Sequence, residues 1–305
     1  MKILVLGNSD IFQRKVLPAL CKIKNLKLEL ASKSLKKTDK KIEKTYSSYQ
    51  KALEETSAKL VYISLINSLH YYWAIKSLKL NKNLIIDKPM TLNLKQTKKI
   101  INLASKKKLL ISEAIVFNKH AQFIKMVSKV NLNKKTIINT KFHIPKLNKN
   151  NFRNFDKFGG GCFQDMSPYA SSMIRIFFKD TKYSTKIKKI KNSRGTVESF
   201  KFEAKSKNIF LNSSFSFNKA YKNQIQIFNE HKIYFINYAF SPPIDKTLKL
   251  DVFNELIKRN NKIKFKKQNV FLTYFNSVFN ILRKKKYNFF YKEIRNIAEI
   301  KEKIS

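Results

Sequence analysis

The chain has 305 residues, 43% of them hydrophobic and 28% charged. That is enough to bury a large core and favours two domains, and it excludes wholesale disorder. No apolar run reaches the roughly 18 residues that cross a bilayer. The opening "MKILVLGNSD" is broken by Asn8, Ser9 and Asp10 too early for a signal peptide.

Two cysteines, Cys21 and Cys162, exclude a disulfide framework or a zinc site of several thiolates and fit a reducing, cytoplasmic setting. Lys and Arg number 64 against 20 Asp and Glu, a net charge of +44. An excess of that size suits a nucleic acid or an anionic membrane surface. The segment "LRKKKYNFFYKEIR" (282–295), where basic and aromatic residues interleave, would carry such binding. However, the lysines are spread through "KSLKK", "ASKKK", "KIKKIK" and "RKKK" alike, and only seven of the 64 cations are arginine. Abundant Lys, Asn, Ile and Phe point to A/T-rich codon usage. Compositional drift is the favoured reading, no nucleic-acid partner is expected, and the charge can still attract a phosphate-bearing ligand.

In chain order, "KILVL" (2–6) reads as a strand ending at Gly7. "IFQRKVLPALCKI" follows with helical spacing of Ile11, Val16, Leu17 and Leu20. Further strands are "LKLELA" (26–31), "LVYIS" (60–64), "NLIID" (83–87) and "LLISE" (109–113). Between the later strands lie helix-like "SLHYYWAIKSLKL" and "LNLKQTKKIINLASKK". Strands alternating with helices imply right-handed crossovers and a parallel sheet, with ligands beyond the carboxyl ends of the strands. That puts Gly7, Ser32, Ser64, Asp87 and Glu113 along one rim.

"GNSDIF" (7–12) stands where a dinucleotide fold keeps its glycine turn, G-x-G-x-x-G. Gly7 fills the first position, and Ser9 and Phe12 fill the second and third. Ser9 is small enough to leave room for a pyrophosphate, and the helix N-terminus at Ser9, Asp10 and Ile11 offers free amides. Phe12 requires looser helix–sheet packing or a displaced helix. A plain strand-to-helix turn is the alternative. At the tip of the second strand, Ser32, Lys33 and Ser34 supply hydroxyls and a cation with no acid beside them. This favours NADP(H) over NAD(H), the alternative being a solvated turn.

The order of motifs resembles the glucose–fructose oxidoreductase / inositol dehydrogenase / rhizopine-catabolism (Gfo/Idh/MocA) family of NAD(P)-dependent enzymes. In "VYISLINSLHYYWAIKSLKLNKNLIIDKPMTLN", Asn67 and His70 fit the family's "PNxxH" with Ile66 in place of Pro. Asp87, Lys88 and Pro89 fit "EKP" with the acid one methylene shorter. "EAIVFNKHAQ" (113–122) is similar to "EAxxxRxHPQ" with Asn118 and Ala121 as departures, and "GGGCFQDMSPYASSMIRIFF" (159–178) to "GGGxLxDxGxYxxxxxRxLF". The likeness runs through the whole chain in one order.

The resemblance implies an α/β Rossmann-type parallel-sheet domain, residues 1–115. An α+β domain with an open, mostly antiparallel sheet, 116–305, follows it for substrate binding and oligomerisation. "KTIINTKFHI", "TVESFKFEA", "NIFLNSSFSF", "NQIQIFN" and "KIYFINYAF" alternate as strands of that sheet, and "NVFLTYFNSVFNIL" and "EIRNIAEIKEKI" read as amphipathic helices.

It also implies that Lys88, at the tip of a central strand beside the nicotinamide, hydrogen-bonds the reacting oxygen and steadies its developing charge. Asp87 would be the counter-charge, and Pro89 stiffens the bend, where a cis peptide is an option. In "GGGCFQDMSPYA" the three glycines need unusual dihedrals or a close ligand approach. Asp165 and Tyr169, four apart, share a helix face, and Ser167 and Pro168 suit a first turn. Asp165 either accepts a sugar hydroxyl or caps the helix. Tyr169 is the candidate for proton exchange, its phenol lowered by an ammonium such as Lys88.

His70 is a structural residue or a cofactor contact, and His120 a substrate contact. Ser64, Asn67, Asp87 and Lys88 complete the cofactor set, and no cluster points to a metal. The C-terminal "FNKAYKNQIQIFNEHKIYFINYAFSPP" resembles the subgroup acting on nucleotide-linked sugars for surface polysaccharides or sugar-bearing metabolites. This implies hydride transfer at a sugar carbon, plausibly C3, in either direction. A relative that binds cofactor but has lost turnover is the remaining alternative, given Phe12, Ile66 and Asn118. Relatives that form dimers or tetramers make a homo-oligomer the expectation.

Overall fold

The computed structural model describes residues 1–33, 41–179 and 181–305. The chain divides into two compact units, one of residues 1–115 with 271–298 and the other of 116–270 with 299–305.

The first unit is built on β1 (Lys2–Leu6), β2 (Lys27–Ala31), β3 (Ile42–Tyr46), β4 (Leu60–Ile63), β5 (Asn83–Ile86) and β6 (Ile111–Glu113). They form one parallel sheet in the order β3-β2-β1-β4-β5-β6. The inner strands are apolar because both faces are covered. Ile3, Leu4, Val5 and Leu6 are all fully buried, each contributing on the order of 1.5–3 kcal/mol. β3, "IEKTY", was not legible as a strand: it is a sheet edge, mostly exposed.

The first helix opens with a wide turn at Phe12–Val16, where the Leu17 amide reaches back five residues to the Phe12 carbonyl, and continues as α1 (Leu17–Leu20). Phe12 is fully buried. The wide turn makes room for a ring where the glycine pattern has no side chain. α2 (Tyr49–Glu55), α3 (Asn67–Lys79) and α4 (Leu94–Lys106) complete the crossovers. Because all six strands run one way, Gly7, Ser32, Ser64 and Asp87, each the residue just after its strand, lie on one edge with Glu113, the last residue of β6.

The second unit carries α5 (Ala121–Lys129), β7 (Thr136–His143), α6 (Cys162–Phe178), β8 (Ser184–Lys191), β9 (Val197–Lys205), β10 (Ile209–Ser216), β11 (Lys222–Asn229), β12 (Lys232–Asn237), β13 (Leu248–Asn254) and β14 (Arg259–Phe265). The eight strands pair in the order β14-β13-β12-β11-β7-β10-β9-β8, antiparallel except for β7 with β10. α6 packs on β9 and β10, and α5 on β12 and β13.

Neither edge strand was read from the sequence. β8, "STKIKKIK", and β14, "RNNKIKF", are largely exposed and rich in cations, which discourages pairing with another chain. Part of the lysine excess therefore has a structural use.

The chain ends in α7 (Val270–Lys284) and α8 (Asn288–Lys303), the latter beginning five residues before the expected "EIRNIAEIKEKI". In the basic–aromatic segment Phe290 is buried and the Tyr291 hydroxyl donates to the Leu109 carbonyl at 2.5 Å, so these rings serve packing. Among the described residues no helix is long and apolar enough to cross a membrane.

Candidate active site

In the first unit the rim is held by a directed chain of hydrogen bonds. The Phe12 amide donates to Ser9 Oγ at 3.1 Å, Ser9 and Ser64 hydroxyls lie 2.6 Å apart, and Ser64 Oγ donates to Asp87 Oδ2 at 2.6 Å. Since the Ser64 proton goes to Asp87, the Ser9 proton goes to Ser64. The Tyr62 hydroxyl donates to the other Asp87 oxygen. Burial pushes the Asp87 carboxyl above its usual range, against these two donors, which favour the anion; burial also drives the Tyr62 phenol well up.

Gly7 has φ +102°, and a Cβ there would fall 2.2 Å from the Ser64 carbonyl oxygen. The glycine is required by β4's end, which crosses directly over it.

Lys88 is half-buried and joined to Pro89 by a cis peptide bond. The turn around it is fixed from three sides. Asp87 is held by Tyr62 and Ser64, the Pro89 carbonyl meets His70 Nδ1 at 2.8 Å, and the Met90 amide donates to Glu113 Oε1 at 2.8 Å. His70 is fully buried, with its other nitrogen 3.0 Å from the Leu65 carbonyl, and burial lowers its pKa. These are the surroundings of a structural histidine.

Asn67 opens α3 and is buried. Ile66 just before it has φ −66°, the angle a proline imposes, so the departure from "PNxxH" keeps the backbone path. At the tip of β2, Ser32 is buried and Lys33 exposed, while Ser34 lies outside the described residues. Asp10 and Ile11 sit at the start of the first helix, Asp10 paired with Arg14.

In the second unit α6 begins at Cys162, so Ser167 and Pro168 lie inside the helix and not in its first turn as the sequence suggested. The glycine run before it serves the chain's own loop. Gly159 and Gly161 have φ of +72° and +90°. A Cβ on Gly160 would meet the carbonyl oxygens of Phe152, Arg153 and Phe155, each at 2.7 Å. The Gly161 amide donates to the Arg153 carbonyl at 2.7 Å and the Gly160 amide to that of Phe155 at 3.1 Å. This seam presents Arg153, whose Nε donates to Asp165 Oδ1 at 3.1 Å; Asp165 is only 5% exposed.

Tyr169 is half-buried, its ring set among Phe117, Phe142 and Phe240 at centroid distances of 5.7, 5.5 and 5.4 Å. His120 caps α5, Nδ1 accepting the Gln122 amide at 3.2 Å. Its proton therefore sits on Nε2, which is buried and has no hydrogen-bond partner among the described residues. Burial lowers its pKa and keeps the ring neutral.

Sequence reasoning did not pick out Tyr62 or Arg153 as parts of the site, and it placed Glu113 on the rim without giving it a role. Glu113 had a signal, as the first residue of the "EAIVFNKHAQ" motif at a strand end. Arg153 had none, since it lies twelve positions before Asp165 in a loop that precedes α6. Among the described residues no group of His, Cys, Asp and Glu could hold a metal ion.

Residues 1–115 match the Gfo/Idh/MocA model, described as an oxidoreductase family with an NAD-binding Rossmann fold, the family that the motifs resemble. It is 26% identical over 183 residues to an uncharacterized oxidoreductase of Rhizobium meliloti, covering 57% of this chain and 55% of that one. It is also 26% identical over 185 residues to the dTDP-3,4-didehydro-2,6-dideoxy-α-D-glucose 3-reductase of Saccharopolyspora spinosa, covering 58% and 56%. These alignments span little more than half of the relatives' lengths. A solved 3-ketoreductase from Actinomadura kijaniata, in complex with NADP and TDP-benzene, is similar across 100% of this chain and 96% of its own, with a TM-score of 0.91 at 18% identity. At that identity the likeness is one of fold.

Proposed function

We propose that this protein is an NADP(H)-dependent oxidoreductase that moves a hydride to or from a ring carbon, favouring C3, of a nucleotide-linked sugar. The observation that carries the reading is Lys88, an ammonium on a turn fixed from three sides at the end of β5, within a segment matching an NAD-binding oxidoreductase family. Similarity to dTDP-sugar 3-reductases supports the substrate class and the carbon. The preference for NADP(H) rests on Ser32 and Lys33 with no acid beside them, and NADP in the similar 3-ketoreductase supports it.

The rim suits a dinucleotide, since Gly7 itself carries no side chain at the end of β1 and Ser9 is small. Gly7, Ser9, Asp10 and Ile11 would hold the pyrophosphate, and Ser32, Lys33 and Ser34 the ribose phosphate. Ser64, Asn67, Asp87 and Lys88 would line the nicotinamide end, with His70 acting through the turn it ties. When bound, the cofactor supplies or accepts the hydride.

Lys88 donates a hydrogen bond to the reacting oxygen and stabilises the negative charge that develops there. Tyr169 gives that oxygen its phenolic proton on reduction and takes it back on oxidation. His120 Nε2–H and the Asp165 carboxylate orient sugar hydroxyls. A cytoplasmic setting and assembly as a dimer or tetramer belong to the same proposal.

The test is direct titration of the pure protein with NADPH and NADH, followed by a panel of nucleotide-linked keto sugars assayed by loss of reduced-cofactor absorbance. Tighter NADPH binding and turnover of a 3-keto nucleotide sugar are expected. Failure to bind either cofactor overturns the proposal.

A further inference from the structure

The second unit holds a basic pocket that the roles above leave unused. Its volume is about 420 Å³, within the ~300–1,000 Å³ typical of small-ligand sites. Lys146, Lys149 and Arg153 line it from one stretch of chain and Asn192 and Arg194 from another, with Glu198 the only acid among the described lining residues. Drift toward lysine explains the first two cations in a chain of this composition but not the arginines. The chain has seven, and two of them stand here. A guanidinium offers a planar fork that grips two phosphate oxygens at once, which an ammonium cannot do.

Both forks are set in place. The Arg153 Cζ lies 4.6 Å from the centre of the Phe152 ring, and its Nε is committed to Asp165 at 3.1 Å, which leaves the two terminal nitrogens for a ligand. The Arg194 Cζ lies 5.0 Å from the centre of the Phe155 ring. The loops that carry them are stitched together. Thr196 Oγ1 donates to the Asn154 carbonyl at 3.2 Å, and Asn192 Oδ1 accepts the amides of Arg194 and Thr196 at 2.9 and 3.2 Å. The glycine seam at 160–161 braces the Arg153 loop through the Arg153 and Phe155 carbonyls.

We propose that this pocket binds the diphosphate of the nucleotide-linked substrate, an assignment that rests on the substrate class inferred above. Arg153 and Arg194 grip the phosphate oxygens, and Lys146 and Lys149 neutralise the remaining charge. Asp165 is then also a positioning residue, because its hold on Nε sets the direction of the Arg153 fork.

The test is calorimetric titration of the full chain with thymidine diphosphate, thymidine and inorganic pyrophosphate. Thymidine diphosphate binds, thymidine binds far more weakly, and added salt weakens the diphosphate. R194Q and R153Q each weaken thymidine diphosphate by about tenfold or more, R194K restores little, and NADPH affinity is unchanged. Arg194 is exposed, so its variants keep the fold.

An R194Q/K149Q protein that binds thymidine diphosphate as the wild type does overturns the proposal. So does pyrophosphate binding as tightly as thymidine diphosphate, which would mark a bare anion site. If the variants lose diphosphate binding but no nucleotide sugar is turned over, the pocket stands and the proposed reaction fails. If turnover persists in the double variant with unchanged KM, the reaction stands and the pocket assignment fails.

Discussion

Replacing Gly160 by alanine separates two reasons for a glycine run, room for a ligand and room for the chain itself. The new methyl would lie 2.7 Å from three carbonyl oxygens, and the loop bearing them would have to retreat by about 0.7 Å to reach ordinary contact at 3.4 Å. Backbone oxygens cannot swing aside as a side-chain tip can. The retreat strains the hydrogen bonds from Gly161 to Arg153 and from Gly160 to Phe155. Two backbone hydrogen bonds at about 1 kcal/mol each, with about 1–3 kcal/mol of overpacking added, make a loss of about 3–5 kcal/mol.

Gly195 is the control. It has φ +79°, but a Cβ there would meet nothing within 4 Å, so G195A costs only backbone strain of about 1–2 kcal/mol. Urea unfolding followed by far-UV circular dichroism measures both. G160A should be the more damaging of the two and should also weaken thymidine diphosphate, because Arg153 moves with the loop. A G160A protein within about 0.5 kcal/mol of wild type, or a G195A protein that suffers more, refutes the argument.

Tyr169→Phe keeps the ring among Phe117, Phe142 and Phe240. It should leave the unfolding midpoint in place while turnover falls by about 10²–10⁴; unchanged turnover removes the proton role. Ile66→Pro fits the observed φ of −66° and should be neutral or stabilising by up to about 1 kcal/mol, a prediction that clear destabilisation in a thermal melt would refute.

His143 has its pKa lowered from 6.5 to about 4 by burial, with Lys219, Lys141, Lys222 and Lys201 adding to it. The folded ring stays neutral where the unfolded ring takes a proton, so stability is full above pH 6.5 and is lost as pH falls toward 4. H143Q should flatten that slope in urea titrations run across the window; an unchanged slope assigns it to other groups.

The parallel sheet was legible because its inner strands are short apolar runs ending at turn residues, and burial on both faces writes that pattern. "IEKTY", "STKIKKIK" and "RNNKIKF" were not, because an edge strand exposed to water carries lysines where a core strand carries valines. The start of α6 was misjudged because Ser167 and Pro168 look like a first turn, although the helix has already begun at Cys162.

Individual site residues such as Lys88 and Asp87 followed from strand ends and motif order. Their supports did not. Tyr62 reaches Asp87 across neighbouring strands, and Arg153 reaches Asp165 from an irregular loop. Such pairings depend on three-dimensional register, which local periodicity does not encode.

The central claim is that the Lys88 ammonium acts on the reacting oxygen. The most direct measurement compares wild type with Lys88→Ala on a nucleotide-linked 3-keto sugar, with NADPH affinity measured in parallel. The account predicts turnover lost and cofactor affinity kept. Equal turnover in the two proteins would contradict it.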